Sequence, residues 1–346
     1  MHANSRALLF GLLVGLGFAK SAFALDLSDS LQLHGYGDVA STRASVDASG
    51  ENSAARMTTH NLSLVGNWKA SDRTSVWVQL FQSNEPGRVR LDWAYVDHQA
   101  ANGLRWRAGQ VRLPFGLHNE VRDVQALRPG ATLPIVYDEE LGIVDESFYG
   151  VSVESELRLG NNVVSYEAYA AGALLPSGER TAYGPALGAR VIIEPPLPGL
   201  SLRVSAYGAR LKPHGADERQ PKRAAALSLR WQRDPWDLQA EAAHSLHYDH
   251  RIQTQYVQGS WQFDPRWELM ARAERVVTDT AQRHDDAFRE RQWVLGLAWR
   301  LNHNVGVRAE QHWHRGHGLA VIQEWVEPGL GQPRWTSSVL SLNFQF

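Results

Sequence analysis

The sequence predicts an all-β fold: a transmembrane, antiparallel, up-and-down barrel of about sixteen strands, with fourteen as the runner-up. Three observations carry this. Apolar and polar residues alternate with period two in segment after segment, the connections alternate between short and long, and tryptophans gather beside the short ones.

In chain order, Arg6 precedes an apolar stretch from Ala7 to Ala19, and Ala22-Phe23-Ala24 offers a small-x-small cleavage signal. Residues 1–24 therefore read as a secretory signal peptide and 25–346 as the exported barrel. The apolar stretch is shorter than the ~20 residues of a spanning helix. Beyond it the only lysines are Lys69, Lys212 and Lys222, so the basic charge is almost all arginine, which suits fixed ion pairs and planar anions. A formal net charge of −2 without a basic stripe argues against a nucleic-acid partner. With no cysteine, disulfides and thiolate metal sites are excluded, and no cofactor is expected. No Pro/Gly/Ser-rich linker or charge block divides 25–346, which reads as one unit.

The alternating segments are 30–40, 58–69, 73–82, 88–99, 104–111, 148–159, 162–172, 183–194, 200–211, 222–232, 236–247, 250–263, 266–277, 289–301, 304–315 and 334–346. In 291–301 one face is Trp293, Leu295, Leu297, Trp299 and Leu301. In 304–314 Val305, Val307 and Ala309 oppose Arg308, Glu310, His312 and His314. In 338–346 Leu340, Leu342, Phe344 and Phe346 oppose Ser341, Asn343 and Gln345. Such alternation marks strands with one apolar face and one polar face.

Short turns fall at 70–72, 100–103, 160–161, 233–235, 264–265 and 302–303, with a slightly longer one at Pro195–Gly199. The intervening connections, 41–57, 112–147, 173–182, 212–221, 278–288 and 316–333, are longer. Short turns on one side and long loops on the other are the asymmetry of bacterial transmembrane barrels. Trp68, Trp106, Trp231, Trp236, Trp261, Trp267 and Trp299 all lie close to a short turn, as an aromatic girdle at one membrane–water interface would. A propeller would show a repeat of about 40 residues, which is missing. A sandwich would have mostly short connections at both ends.

Two stretches resemble known proteins. The end of the chain, Val339-Leu340-Ser341-Leu342-Asn343-Phe344-Gln345-Phe346, is similar to the terminal strand of bacterial outer-membrane proteins. The resemblance implies the outer membrane of a Gram-negative cell, contact with outer-membrane lipid, and recognition by the barrel-assembly machinery through the strand ending at Phe346. The stretch Gly109-Gln-Val-Arg-Leu-Pro-Phe-Gly-Leu117 resembles the segment that enters the third external loop in general and phosphate-selective porins. It implies that 112–147 folds into the lumen as a constriction loop, and it implies a homotrimer. Phosphate-selective channels carry a basic ladder that includes lysines, and this chain departs from that pattern.

A lumen of sixteen strands is wide enough for water rather than packed side chains. Charges at a constriction set ion preference, because low-dielectric walls focus their field. The loop offers Arg112, Glu120, Arg122, Asp123 and Arg128, favoured over the acids nearer its end. Arg105, Arg107, Arg158 and Arg308 are wall candidates. The expected function is passive diffusion of small hydrophilic solutes or ions, the alternative a substrate-selective anion channel. The competing reading of these charges is simple pairing and solvation of the interior.

His312 and His314 share a face near the last long loop and are weak candidates for chelating a transition metal, although no carboxylate or cysteine completes a ligand spacing. Neither Gly-x-Ser-x-Gly nor His-Glu-x-x-His occurs, so an enzyme is not expected. Nor is a plugged receptor, since no domain of plug size precedes the first strand.

Overall fold

The computed structural model describes residues 25–48, 51–84, 89–138, 141–175, 182–212, 220–247, 250–285, 288–316 and 334–346. The expected leader, 1–24, lies outside the described residues, as do most of the connection 316–333 and the rims of several other loops.

The strands are β1 (Leu25–Ser28), β2 (Leu31–Ala48), β3 (Glu51–Ser71), β4 (Thr74–Gln82), β5 (Arg90–Gln99), β6 (Arg105–Arg112), β7 (Ser147–Leu159), β8 (Asn162–Leu175) and β9 (Ala182–Glu194). They continue as β10 (Leu200–Leu211), β11 (Gln220–Arg233), β12 (Trp236–His247), β13 (His250–Asp264), β14 (Trp267–Val277), β15 (Arg289–Arg300), β16 (Val305–Gly316) and β17 (Arg334–Gln345). From β2 onward each pairs antiparallel with the next, and β17 returns to β2, so these strands close into a sixteen-stranded barrel. The short β1 folds back on the start of β2.

Closure pairs every strand on both sides, which is what a sheet in lipid requires, because an open edge would leave unsatisfied N–H and C=O groups. At the seam Gly35 and Phe346 exchange backbone hydrogen bonds of 3.0 and 2.8 Å. The rings of Phe346 and Phe344 lie over Gly35 and Gly37, where any Cβ would collide with them. Two glycines thus form the seat of the aromatic terminal strand.

The alternating faces follow the predicted period and invert the pattern of a water-soluble protein. Leu227, Val257, Trp293 and Leu340 face outward and are exposed, while Gln239, Glu241, Gln258, Arg272 and Glu310 are buried inside. Cross-strand partners place Trp236 on Trp261 and Trp267 on Trp299, with ring centroids 5.5 and 5.4 Å apart. Trp68 and Trp106 also point outward near short turns, so the expected girdle is present.

Each of the sixteen expected segments corresponds to one barrel strand. The stretch 41–57 is the main correction: β2 and β3 extend through most of it as a long hairpin. Arg43 and Arg56 are exposed on its outer face, so the apolar-out alternation lapses there while the backbone stays paired.

The lumen is filled further than a constriction at mid-height requires. The connection between β6 and β7 brings Leu113, Phe115, Leu117, Ile135, Val136, Tyr137, Leu141, Ile143 and Val144 into a buried apolar cluster. There they meet Phe148, Tyr169, Tyr207, Leu211, Ile252 and Tyr256 from the wall. One side of the barrel is therefore packed like a protein core, and the remaining space lies on the side of β2–β5 and β17.

Candidate functional site

The connection itself is 113–146, since Arg112 and Ser147 are the paired last and first residues of their strands. Three short 3-10 turns, Asn119–Val121, Gln125–Leu127 and Ile135–Tyr137, shape it. They are too brief to satisfy their own backbone, so the wall supplies the partners.

Three wall glutamates do most of this. Glu241 accepts from Leu117 N at 2.9 Å, Glu274 from Ile135 N at 2.6 Å, and Glu310 from Ala131 N and Thr132 N at 2.6 and 3.2 Å. Around the first, Gly116 N–H donates to Ser205 Oγ (3.1 Å), and His118 Nε2 meets Gln239 Oε1 at 2.8 Å. Tyr137 Oη accepts from Leu117 N and His118 N at 2.6 and 3.0 Å. Ser341 Oγ reaches Gln125 Oε1 at 3.1 Å, and Arg308 donates to Arg128 O at 3.1 Å. The segment is thereby attached to β10, β12, β14, β16 and β17.

Its C-terminal end is fixed by charge. Lys222 Nζ lies 2.8 Å from Asp145 Oδ1, and Tyr207 donates to Asp145 Oδ2 at 3.0 Å; lysine and aspartate are both buried. Arg112 sits among Asp92 (2.5 Å), Glu146 (2.5 Å) and Asp123. A third network runs along the wall. Asp97 holds Arg105 at 2.6 Å, and Arg107 reaches Glu154 (2.6 Å) and Glu167 (3.1 Å). Glu167 also binds Arg190 at 3.0 Å, and Arg190 grips Glu120 of the loop.

Of the predicted site residues, the structure brings Arg112 and Asp123 into one cluster and links Arg105, Arg107 and Glu120 in another. Arg122 donates to Asn119 Oδ1 and to Tyr137 O, each at 3.4 Å. Arg128 and Arg308 meet at the far side of the lumen. Arg158 stands apart: it is exposed near the turn after β7, paired across the hairpin with Val163. His312 and His314 lie within β16 as buried wall residues rather than in a loop, and each has an acid partner. His312 Nε2 is 3.0 Å from Glu310 and His314 Nδ1 is 2.8 Å from Glu290, the carboxylates that sequence spacing did not connect to them.

Sequence reasoning passed over Asp92 and Lys222, and it ranked Asp145 and Glu146 last although both are anchors. One signal was available. Thirteen large apolar residues within 113–146 are too many for a solvated loop, and they mark a segment that packs.

Charges within the connection behave as the pairing demands. Burial pushes the Glu146 carboxyl up, but Arg112, Arg122 and Arg90 outweigh it and hold the group down at about 2. The Glu120 carboxyl is likewise raised by burial and pulled below its usual range by Arg190. Burial lowers His118 to about 3, so its ring is neutral against Gln239. Both Glu146 and His118 have folded-state values below their unfolded ones, so each contributes stability that is lost as pH falls. The His118 contribution decays from about pH 6.5 toward 3 and that of Glu146 from about pH 4.5 toward 2. Protease accessibility of 113–146, followed on folded protein from pH 7 to acid, is expected to rise across these windows while the barrel persists. Unchanged protection at the acid end would contradict it.

The unfilled side of the lumen is a polar cavity of about 380 Å³ between 122–133 and the inner faces of β2–β5 and β17. Arg90, Arg122 and Arg128 line it together with Asp38, Asn61 and Asp123. Arg128 is buried, yet it forms no ion pair with any described residue. Burial lowers its pKa to about 10, against the attraction of Asp38 and Glu310, so it remains charged at neutral pH.

The closed barrel has the fold of the outer-membrane porins. It is similar to Salmonella typhi OmpF in complex with daunomycin (12% identity, TM-score 0.63, 92% of this chain and 98% of that one). It is also similar to the anion-selective porin from Comamonas acidovorans (11%, TM-score 0.60, 92% and 99%). A third is OmpT, an outer membrane protein of Vibrio cholerae, in its trimer form (10%, TM-score 0.56, 92% and 100%). No family model matches the chain and no curated protein matches it in sequence. At these identities the likeness is one of fold.

Proposed function

We propose that this protein is a channel of the Gram-negative outer membrane through which small hydrophilic solutes diffuse passively. The observation that carries the reading is the polar cavity beside the 122–133 segment, enclosed by a barrel whose outer face is apolar and girdled by tryptophan. Water and solutes need a polar path and lipid needs an apolar wall, and the two faces of each strand supply them. The packed half of the lumen leaves a narrow passage, in which 113–146 is the constriction. We read the chain as a channel rather than an enzyme, because its buried acids are engaged in anchoring that segment or in pairs along the wall.

Insertion by the barrel-assembly machinery through the strand ending at Phe346 fits the seam at Gly35. Assembly into a trimer is proposed by analogy with the trimer form of OmpT. The test of the channel is direct: purified, folded protein added to planar lipid bilayers is expected to produce stepwise conductance increments, and their absence overturns the assignment. A preference for anions is the finer reading, favoured by Arg128, whose charge faces the cavity without an acid partner among the described residues.

A further inference from the structure

The outer face of the barrel carries a feature that solute diffusion does not use. Across β14, β15, β16 and β17 the ladder places Arg275 opposite Arg291, Arg291 opposite Arg315, and Arg315 opposite Arg334. All four alternate with buried inward residues and so point outward; Arg291, Arg315 and Arg334 are exposed and Arg275 is half-buried. Directly opposed like charges destabilise a sheet, and here one row holds four in succession. None of the four forms an ion pair with a described residue. One row arrangement recurs nearby, where Arg43 stands opposite Arg56 on the outer face of β2 and β3.

The rows below the arginines locate them. Beginning at the short-turn end, the outward row Trp267–Trp299–Val307–Leu342 is followed by Leu269–Leu297–Ala309–Leu340. Next come Ala271–Leu295–Gln311–Ser338 and Ala273–Trp293–Trp313–Thr336, and then the arginine row. Trp299 and Trp293 are thus six residues apart on β15, about 20 Å along the strand, which brackets an apolar band between two aromatic levels. The arginines lie one row beyond the second tryptophan level, toward the long-loop end of the strands. Guanidinium groups there are well placed for bidentate bonding to phosphate oxygens.

We propose that the Arg275–Arg291–Arg315–Arg334 row is a docking site on the external rim for a lipid with a phosphorylated headgroup, its acyl chains lying on the Trp293–Trp313 level and the leucine rows beneath. The occupant follows from charge complementarity and position: four cations with no ion-pair partner among the described residues call for an anion, and Trp293, Trp313 and the leucines Leu295, Leu297 and Leu340 on the same outer face call for one attached to hydrocarbon. Cross-strand repulsion in the row is relieved when the phosphate is bound. This inference rests on the membrane placement proposed above, but on none of the residues of the passage.

The test uses the full barrel in phosphatidylcholine nanodiscs, with and without a phosphorylated glycolipid, and reads bound lipid and thermal stability. The protein is expected to retain the phosphorylated glycolipid and to gain stability from it. Arg291→Gln with Arg315→Gln is expected to weaken retention by about tenfold or more, since each surface arginine contributes appreciably to anionic-lipid attraction. Conductance of that variant in phosphatidylcholine bilayers should match the parent, because both positions face away from the lumen; this arm also reports separately on the channel assignment. Equal retention by parent and variant, equal retention of the dephosphorylated glycolipid, or the same stabilisation by inorganic phosphate alone would each overturn the proposal.

Discussion

Replacing Gly116 with valine is expected to release the 113–146 segment from the wall and to enlarge the passage. Gly116 has a φ of +61°, a left-handed conformation that costs a side-chain-bearing residue about 1–2 kcal/mol. A Cβ at this position would meet both Tyr137 Oη and the Glu241 carboxylate, the two acceptors that hold Leu117 and His118. Losing a hydrogen bond to a charged acceptor costs about 1.5–3 kcal/mol more and leaves the buried Glu241 with Ser228 Oγ but without the backbone N–H of Leu117. The apolar cluster under the segment opposes release, but its core residues Phe115 and Leu117 flank the substituted position and move with it. Single-channel conductance should rise about twofold or more, as the wider lumen of an unfilled barrel allows, and cleavage within 113–146 should accelerate. The barrel ladder does not pass through Gly116, so the variant should still migrate as a folded barrel on an unheated gel. Parent-like conductance together with parent-like protease resistance would show that the socket does not hold the segment.

The contrast between the barrel and this socket explains how far the sequence can be read. Period-two alternation is a local signal, and in a barrel every strand has one lipid face, so β9 through β17 could be delimited to within two residues or so. The signal weakens where outward residues cease to be apolar. Arg43, Ser45 and Arg56 made the β2–β3 hairpin look like a loop, although its backbone pairs without interruption from Leu31↔Trp68 to Ala48↔Glu51. The site is different in kind. Arg112 finds Asp92 from the strand before it and Glu146 from the far end of the connection, and Lys222 finds Asp145 across 77 positions. Such pairs depend on barrel curvature and on where an irregular segment crosses the lumen, and neither leaves a periodic trace. Composition would have told more: the apolar content of 113–146 implies packing against a wall, and a wall of glutamates with no lysine opposite them implies partners elsewhere. For Glu241, Glu274 and Glu310 those partners include backbone N–H groups of the 113–146 segment.

Arg128 is where charge preference is expected to be set, and Arg128→Glu should invert it. The guanidinium faces the cavity shared with Arg90, Arg122, Asp38 and Asp123. Asp123 is tied to Arg112, and Asp38 accepts weakly from Asn61 at 3.4 Å, so neither cancels Arg128 at close range. A buried charge without a close counter-ion is costly to keep, and in a narrow low-dielectric passage its field acts on whatever crosses. Reversal potentials in a potassium chloride gradient should show the parent favouring chloride. Arg128→Gln should reduce that preference, and Arg128→Glu should change its sign, with permeability ratios moving on the order of tenfold. The glutamine variant guards against misfolding, because it keeps a polar side chain at the position without adding charge and leaves the Arg308 bond to the residue 128 carbonyl in place. Arg158, exposed beside the short turn after β7, provides the control: Arg158→Glu makes the same charge change outside the cavity and should shift the reversal potential far less. Equal shifts from the two glutamate variants would mean that net charge on the barrel, rather than the field of Arg128 within the passage, governs which ions cross.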